Sequence, residues 1–354
     1  MIVLSIHDGH DSGAALIQDG KIVLHSSEER RVNVKNKSGV PRESIKALFE
    51  RTGIEPKDVD QVALVGVIRN VTPITGKRSR IGTVMNTAAV LARSETATRL
   101  GRAMLSKVRR KSDLLAFLTE YGLGDAPVNA YDHHLCHAAC AYFHRPFEGD
   151  ALVLTHDGAG DGLCASVNVG RGDNLEVVAQ TPKYHSLANF LYSFITQHLG
   201  LKPWEHEYKI MGMAPYGRAE YCVDIIRKMW GVEGLHFRNR TGHGFNTLAK
   251  HYRRVLAGQR FDNLCAATQE VFEELMLQWV RNAVEATGVN RICAAGGAFL
   301  NVKANGCIRE SDFVDAFYAY PASDDGGTPI GGALLGYLDA CREKGVEPTF
   351  DLQR

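Results

Sequence analysis

The chain has 354 residues, of which 45% are hydrophobic and 23% charged, with a formal net charge of +1. That length exceeds one ordinary hydrophobic core and predicts two packed lobes or one large α/β domain of ordinary globular composition. The near-zero charge argues against a chain built mainly to coat nucleic acid, which carries a strong basic excess.

In chain order, the start MIVLSIHDGHD reaches charged residues too early for a signal peptide. No apolar run approaches the roughly 20 residues of a membrane helix, so no membrane partner is expected. The segment IVLSIHDGHDSGAALIQDGKIVLHSSEE alternates short β-rich runs with turns, Asp19-Gly20 being a hairpin signal, and reads as a strand meander. PRESIKALFERT, residues 41 to 52, opens on Pro41 and carries apolar residues at helical spacing. QVALVGVI, residues 61 to 68, reads as a buried strand. The stretch that follows, to about residue 112, is rich in lysine and arginine and reads as a solvated helical insertion or a docking surface for an anionic partner. DHHLCHAACAYF, residues 132 to 143, holds three of the chain's 14 histidines within five residues.

DALVLTHDGAGDGLCASVNVGRGDNLEVVAQT then repeats the design of the first segment: strand, HDG triplet, strand, glycine turn, strand. His7-Asp8-Gly9 and His156-Asp157-Gly158 fall at equivalent points. A duplicated meander, each copy followed by a helix-rich stretch, predicts two related lobes facing one another, residues 1–148 and 149–354 with the C-terminal helix in the second. That is the α/β, two-lobed actin-like ATPase, Hsp70 and sugar-kinase (ASKHA, duplicated RNase H-like) fold. In that architecture the turns after the first strands approach a nucleotide from both sides.

His133 and His137, at i and i+4, share a helical face and can place two imidazoles on one metal. Surface and packed helices carry the same spacing, so further donors are required. Asp157 ends the strand LVLTH, and Asp324 and Asp325 lie in PASDDGGTPIGGALLG, so closing lobes would bring one or two carboxylates to the histidines. Such a nitrogen and oxygen set suits iron(II), manganese or zinc. Gly296 and Gly297 follow the apolar run RICAA, where a backbone can approach a phosphate; Gly326, Gly327, Gly331 and Gly332 precede the last helix in the same way. No Walker motif is present. Eight cysteines without a CxxC pair fit neither a zinc ribbon nor a disulfide scaffold and point to a reducing cytoplasm.

Taken together, HDS at His10 to Ser12, HHLCHAA at His133 to Ala139, EYKIMGMAPYG at Glu207 to Gly217, GGAFLN at Gly296 to Asn301 and PASDDGGTPIGGAL resemble the NodU/CmcH-type O-carbamoyltransferases. The likeness runs from residue 2 to about residue 340. It implies an N-terminal domain similar to the TsaD tRNA-modification protein, binding carbamoyl adenylate, made from carbamoyl phosphate and ATP, beside a divalent metal. Iron(II) is the first expectation for that metal. The implied ligands are His133, His137, Asp157 and Asp325. His10 matches a histidine near the acceptor hydroxyl, with Asp11 beside it in the catalytic set. Ser12, Lys35, Gly158, Lys209, Gly296, Gly297 and Asn301 fall to the nucleotide and carbamoyl donor. Lys209 reads equally well as an exposed loop lysine. The carbamoyl group would pass to a hydroxyl of a small molecule such as a sugar, and AMP would leave.

Two departures qualify the likeness. Asn33 replaces an arginine usual near the donor, and SLANFLYS carries Asn189 near an expected glycine, a residue that still tolerates a left-handed backbone. The sequence as given stops at FDLQR without the YrdC-like domain that makes carbamoyl adenylate, so the expectation is either a separate YrdC-like protein as partner or direct use of carbamoyl phosphate. The other readings are a tRNA threonylcarbamoyl transferase-like protein and a non-catalytic nucleotide-binding subunit.

Overall fold

The computed structural model describes residues 1–67 and 113–350. The basic stretch expected as an insertion near 70–112 lies outside the described residues.

β1 (Ile2–His7), β2 (Gly13–Gln18) and β3 (Lys21–Ser27) form the antiparallel meander. Asp19 and Gly20, both left-handed at φ 49° and 77°, close its two-residue hairpin. α1 (Glu28–Val32) and α2 (Arg42–Thr52) follow, α2 ending at left-handed Gly53. β4 (Gln61–Val65) pairs parallel to β1. It stops short of the apolar run read as a strand to residue 68, because Gly66 turns at φ 88°. α3 (Asp113–Glu120) leads to β5 (Val128–Tyr131), parallel to β4, and then to α4 (His133–Phe143).

The second half begins with another antiparallel meander, β6 (Ala151–Gly160), β7 (Leu163–Arg171) and β8 (Asn174–Pro182). A π-helical segment, Leu187–Ser193, runs into α5 (Phe194–His198), α6 (Glu207–Met213) and α7 (Val223–Met229). The hairpin β9 (Trp230–Glu233) and β10 (His236–Asn239) precedes α8 (Phe245–Val255) and the 27-residue α9 (Phe261–Thr287). β11 (Arg291–Ala295), α10 (Val302–Arg309), β12 (Ala316–Ala319) and α11 (Thr328–Lys344) complete the order.

The sheets run β3-β2-β1-β4-β5 and β8-β7-β6-β11-β12. β11 lies parallel to β6 just as β4 lies parallel to β1. The second sheet therefore repeats the first strand for strand, which is the two-lobed actin-like ATPase, Hsp70 and sugar-kinase fold.

Strand alternation builds the layers. On β1, Val3 faces α11 whereas Leu4 and Ile6 face α2 and α3. On β6, Val153 faces α4 whereas Leu152 and Leu154 face α9 with its buried Phe272 and Trp279. α11 thus lies on the first sheet and α4 on the second, and the two helices pack against each other between the sheets. The C-terminal helix, expected with the second lobe, docks on β1, β2 and β4 of the first. Gly331, expected in a ligand-facing turn, is inside α11, and a Cβ there would lie 1.9 Å from the Cys136 carbonyl oxygen. It permits the close crossing of α11 and α4 instead. Among the described residues, no helix is long and apolar enough to cross a membrane.

Candidate metal centre and cleft

α4 begins where Asp132 caps it, its carboxylate accepting from the Leu135 N–H at 3.1 Å. That start fixes His133 and His137 on the face turned toward the ends of β6 and α11. Their Nε2 atoms are 3.1 Å apart. Asp325, in the turn just before α11, places Oδ1 3.2 Å from His133 Nε2 and 3.3 Å from His137 Nε2. Asp157, on β6, places Oδ2 3.7 Å from His133 Nε2. One ligand atom from each of the four lies within 4.8 Å of all the others. The structure thus brings together the two histidines and two aspartates named from the sequence.

The arrangement fits a divalent ion. Donor atoms held about 2.0 to 2.2 Å from such an ion sit about 3.0 to 3.5 Å from one another, the spacing found among His133, His137 and Asp325, with Asp157 slightly farther out at 3.7 Å from His133. The electrostatics agree. Burial opposes charge on His133, but Asp325 and then Asp157 outweigh it and hold its pKa well above the usual histidine range. Burial and mutual repulsion would raise the two carboxyls. His133 leads the opposing effects on both, and each is held below the usual carboxylate range. Two carboxylates sharing one imidazolium is the charge pattern of a site whose proton a metal displaces.

Neighbouring groups hold these ligands. Asp161 accepts from the His133 N–H at 2.8 Å and from the Val67 N–H at 3.0 Å, tying β6 and β7 to the end of β4. Gly160 lies against the His133 ring, where a Cβ would come within 2.0 Å of the ring. The Gly297 N–H donates to Asp157 Oδ1 at 3.0 Å. His7 places Nε2 3.6 Å from Asp325 Oδ2. His134 turns away to Thr155 Oγ1 at 2.8 Å, and Cys136 is fully buried. His156, fully buried and 4.5 Å from the Phe237 ring, belongs to the core; burial lowers its pKa to about 3.

Of the four ligands, Asp157 and Asp325 line a cavity of about 610 Å³ whose walls also include His10, Asp11, Lys35, Gly158, Gly297 and Asn301, while His133 and His137 lie behind them, outside its lining. His10 Nδ1 is 2.8 Å from Asp11 Oδ2, and this hydrogen bond, which outweighs burial, raises the His10 pKa to about 9. Other residues named from the sequence lie elsewhere. Ser12 is fully buried, its hydroxyl donating to the Lys37 carbonyl at 3.0 Å, so it anchors the loop bearing Lys35 and does not line the cleft. Gly296 turns at φ 102° against the His156 carbonyl and also stays outside the lining. Lys209 is absent from the lining, with Nζ 5.8 Å from the Tyr208 ring centre. Asn301 lines the cleft, but its amide is engaged: it caps α10 at Ala304 N–H and pairs with Gln269 through two 2.9 Å bonds.

Sequence reasoning missed Asp161, Trp204 and Tyr208. No spacing marks them, although the DG at Asp161-Gly162 is a hairpin turn equivalent to the one carrying Asp11. Asp11 and Asp161 share a left-handed φ of 51°.

Comparison with known proteins bears on this geometry. The family model described as carbamoyltransferase N-terminus matches residues 3–334. An uncharacterised protein of Synechocystis sp. is 32% identical over 348 residues, covering 92% of this chain and 55% of its own length. Nodulation protein NolNO of Sinorhizobium fredii is 28% identical over 333 residues, covering 92% of this chain and 46% of its own length. The chain spans about half the length of these curated relatives. Component A of (R)-2-hydroxyglutaryl-CoA dehydratase from Acidaminococcus fermentans superposes with a TM-score of 0.51 at 16% identity, over 96% of this chain and 99% of that one, a likeness of fold alone. With a match over nearly its whole length, the chain belongs to the carbamoyltransferase N-terminus family.

Proposed function

We propose that this chain carries the transfer centre of a metal-assisted O-carbamoyltransferase, with carbamoyl adenylate as donor and a hydroxyl of a small molecule as acceptor. The observation that supports this reading most strongly is the convergence of His133, His137, Asp157 and Asp325 within 4.8 Å beside a cleft that the two aspartates line together with the His10 and Asp11 pair. A divalent cation bound by the four ligands would supply Lewis-acid stabilisation of negative charge on the donor's oxygens.

The protein's own groups then have defined work. Asp11 accepts from His10 Nδ1, which fixes the tautomer and leaves Nε2 to take the acceptor's proton. The acceptor oxygen forms a bond to the carbamoyl carbon, the bond from that carbon to the adenylate oxygen breaks, and AMP departs with that electron pair. Lys35, on the cleft wall, offers a cation to the phosphate. A separate carbamoyl-adenylate-forming protein or further domain would supply the donor. The reading places the reaction in an aqueous, reducing compartment, as the free cysteines suit.

The test supplies the purified chain with a divalent metal, labelled carbamoyl phosphate, ATP and a carbamoyl-adenylate-forming enzyme, then follows label into a mixture of hydroxylated acceptors. Label should enter the acceptors only when this chain and the metal are both present. Equal incorporation without the chain, or into tRNA instead, would overturn the assignment.

A further inference from the structure

Away from the cleft, whose wall also includes Trp204 and Tyr208, α5 and α8 pack together around a second cavity of about 300 Å³. Phe194, Gln197 and His198 of α5 and Ala249 and Arg253 of α8 line it. Among the described residues, the Gln197 amide, the His198 imidazole and the Arg253 guanidinium make no side-chain hydrogen bond or ion pair. The charge around them is one-sided. Residues 177–204 and 234–261, which supply both helices, contain no aspartate or glutamate. Lys250, Arg253 and Arg254 are exposed on α8 and unpaired among the described residues, whereas neighbouring Arg238 and Arg260 meet Glu233 and Asp262. Like charges three and four residues apart weaken a helix. The Arg253 charge, after burial, also opposes protonation of His198. An anion seated between the helices would reverse both effects. The frame that would hold it is fixed. Tyr252 is buried, its hydroxyl accepting from Trp230 Nε1 and donating to the Phe190 carbonyl, each at 3.0 Å. Phe194 stacks on Phe190 with ring centres 5.6 Å apart, and the half-exposed Phe245 stands edge-on to Phe194 at 5.5 Å.

We propose that this cavity between α5 and α8 binds a small phosphate monoester, its dianionic head on Arg253 and Gln197 and its uncharged body against Phe194 and Phe245. The planar guanidinium fork matches two phosphate oxygens, and the Gln197 amide and the His198 ring N–H add neutral donors. Lys250, one turn before Arg253, brings a second positive charge, so a dianion is balanced where a carboxylate would leave one charge over. The volume exceeds that of a bare phosphate ion and reaches the lower end of small-molecule pockets, about 300 to 1,000 Å³. Both helices are clamped to the core of the second lobe, so the donors are held in place before a ligand arrives. None of these groups takes part in carbamoyl transfer, and the site does not depend on that reading.

Calorimetric titration of the full chain at low ionic strength with phenyl phosphate, inorganic phosphate and benzoate tests the site. Phenyl phosphate should bind saturably and more tightly than either of the other two, which carry only its head or a monoanion on the same ring. Arg253→Gln should weaken that binding about 10- to 100-fold, the loss of one charge-assisted contact, and Gln197→Met about fivefold, the loss of a neutral one. Because Arg253 makes no bond within the protein, the Tm of Arg253→Gln should be no lower than that of the wild type. Lys35→Gln, in the other cleft, should leave phenyl phosphate binding unchanged. Binding abolished by Lys35→Gln and spared by Arg253→Gln would put the anion in the metal-bearing cleft and overturn the proposal. Benzoate binding as tightly as phenyl phosphate would overturn the choice of a dianion. No saturable binding of phenyl phosphate beside salt-sensitive binding of RNA or an acidic peptide would reduce the feature to a diffuse basic face. An Arg253→Gln protein that melts well below the wild type would give the guanidinium a structural role instead.

Discussion

His133 and His137 point their Nε2 atoms at each other across 3.1 Å, in the interior of the protein, with Asp325 Oδ1 within 3.3 Å of both. At most one hydrogen can lie between two such nitrogens, so without a cation the pair is served by one proton. The geometry makes sense as a set of lone pairs aimed at a common point.

Asp161 holds this pair without being a ligand. Its carboxylate fixes the first turn of α4 through the His133 N–H and reaches the Val67 N–H as well. Asp161→Asn keeps the shape but halves the acceptor capacity and removes the charge. Loss of about 1 to 3 kcal/mol of stability is expected from weakening buried charge-assisted bonds. Metal affinity should fall about 10- to 100-fold, as when outer-shell partners are lost. Denaturant melts and metal titration of the variant check both.

Gly160 provides a steric test. Any side chain there meets the His133 imidazole, the nearest ring atom lying 2.0 Å from where the new Cβ would stand. Gly160→Ala should displace that ring and abolish high-affinity metal binding, at an overpacking cost of about 1 to 3 kcal/mol. A variant that binds metal as the wild type does would show that His133 is not a ligand.

The pH dependence of transfer follows from His10. Its hydrogen bond to Asp11 raises its pKa to about 9, so it is mostly imidazolium at neutral pH and gains base activity as pH rises toward 9. kcat/KM should climb over that interval. Asp11→Asn replaces the carboxylate that raises the pKa with a neutral amide, so the rising limb should move to lower pH, toward the ordinary histidine value, while the maximum rate drops through weaker orientation of the imidazole. For stability the sign runs the same way. A folded pKa above the unfolded one adds stability that is present below about 6.5 and lost as pH rises through about 9. With the His10 side chain 43% exposed, solvent screening keeps that contribution well under about 1 kcal/mol.

These expectations rest on unequal kinds of information in the chain. The duplicated meander was legible because alternating apolar residues, an HDG triplet and a glycine turn recur in the same order, and the same strand order recurs in the two sheets. The placement of α11 was not, because an apolar helix face says nothing of which sheet will cover it; only its packing on Val3, Ala15 and Ala63 of the first sheet shows it. In the site, i, i+4 spacing marked His133 and His137, the end of the run LVLTH marked Asp157, and a glycine-rich turn before a helix marked Asp324 and Asp325, of which the family resemblance singled out Asp325. Ser12, Gly296 and Lys209 sit in the same motifs yet miss the cleft, because a motif locates a segment and not the direction of each side chain. Trp204 left no trace, since nothing in the letters announces a tryptophan at positive φ.

The central claim is that four side chains from separate elements hold one divalent cation. Calorimetric titration of chelator-treated protein with manganese(II) or iron(II) under reducing conditions tests it most directly. One ion per chain should bind, with protons released on binding and weaker affinity at lower pH, and the signal should vanish in the His133→Ala/His137→Ala double variant. Equal binding in that variant, or no binding to the folded wild type, would contradict the account.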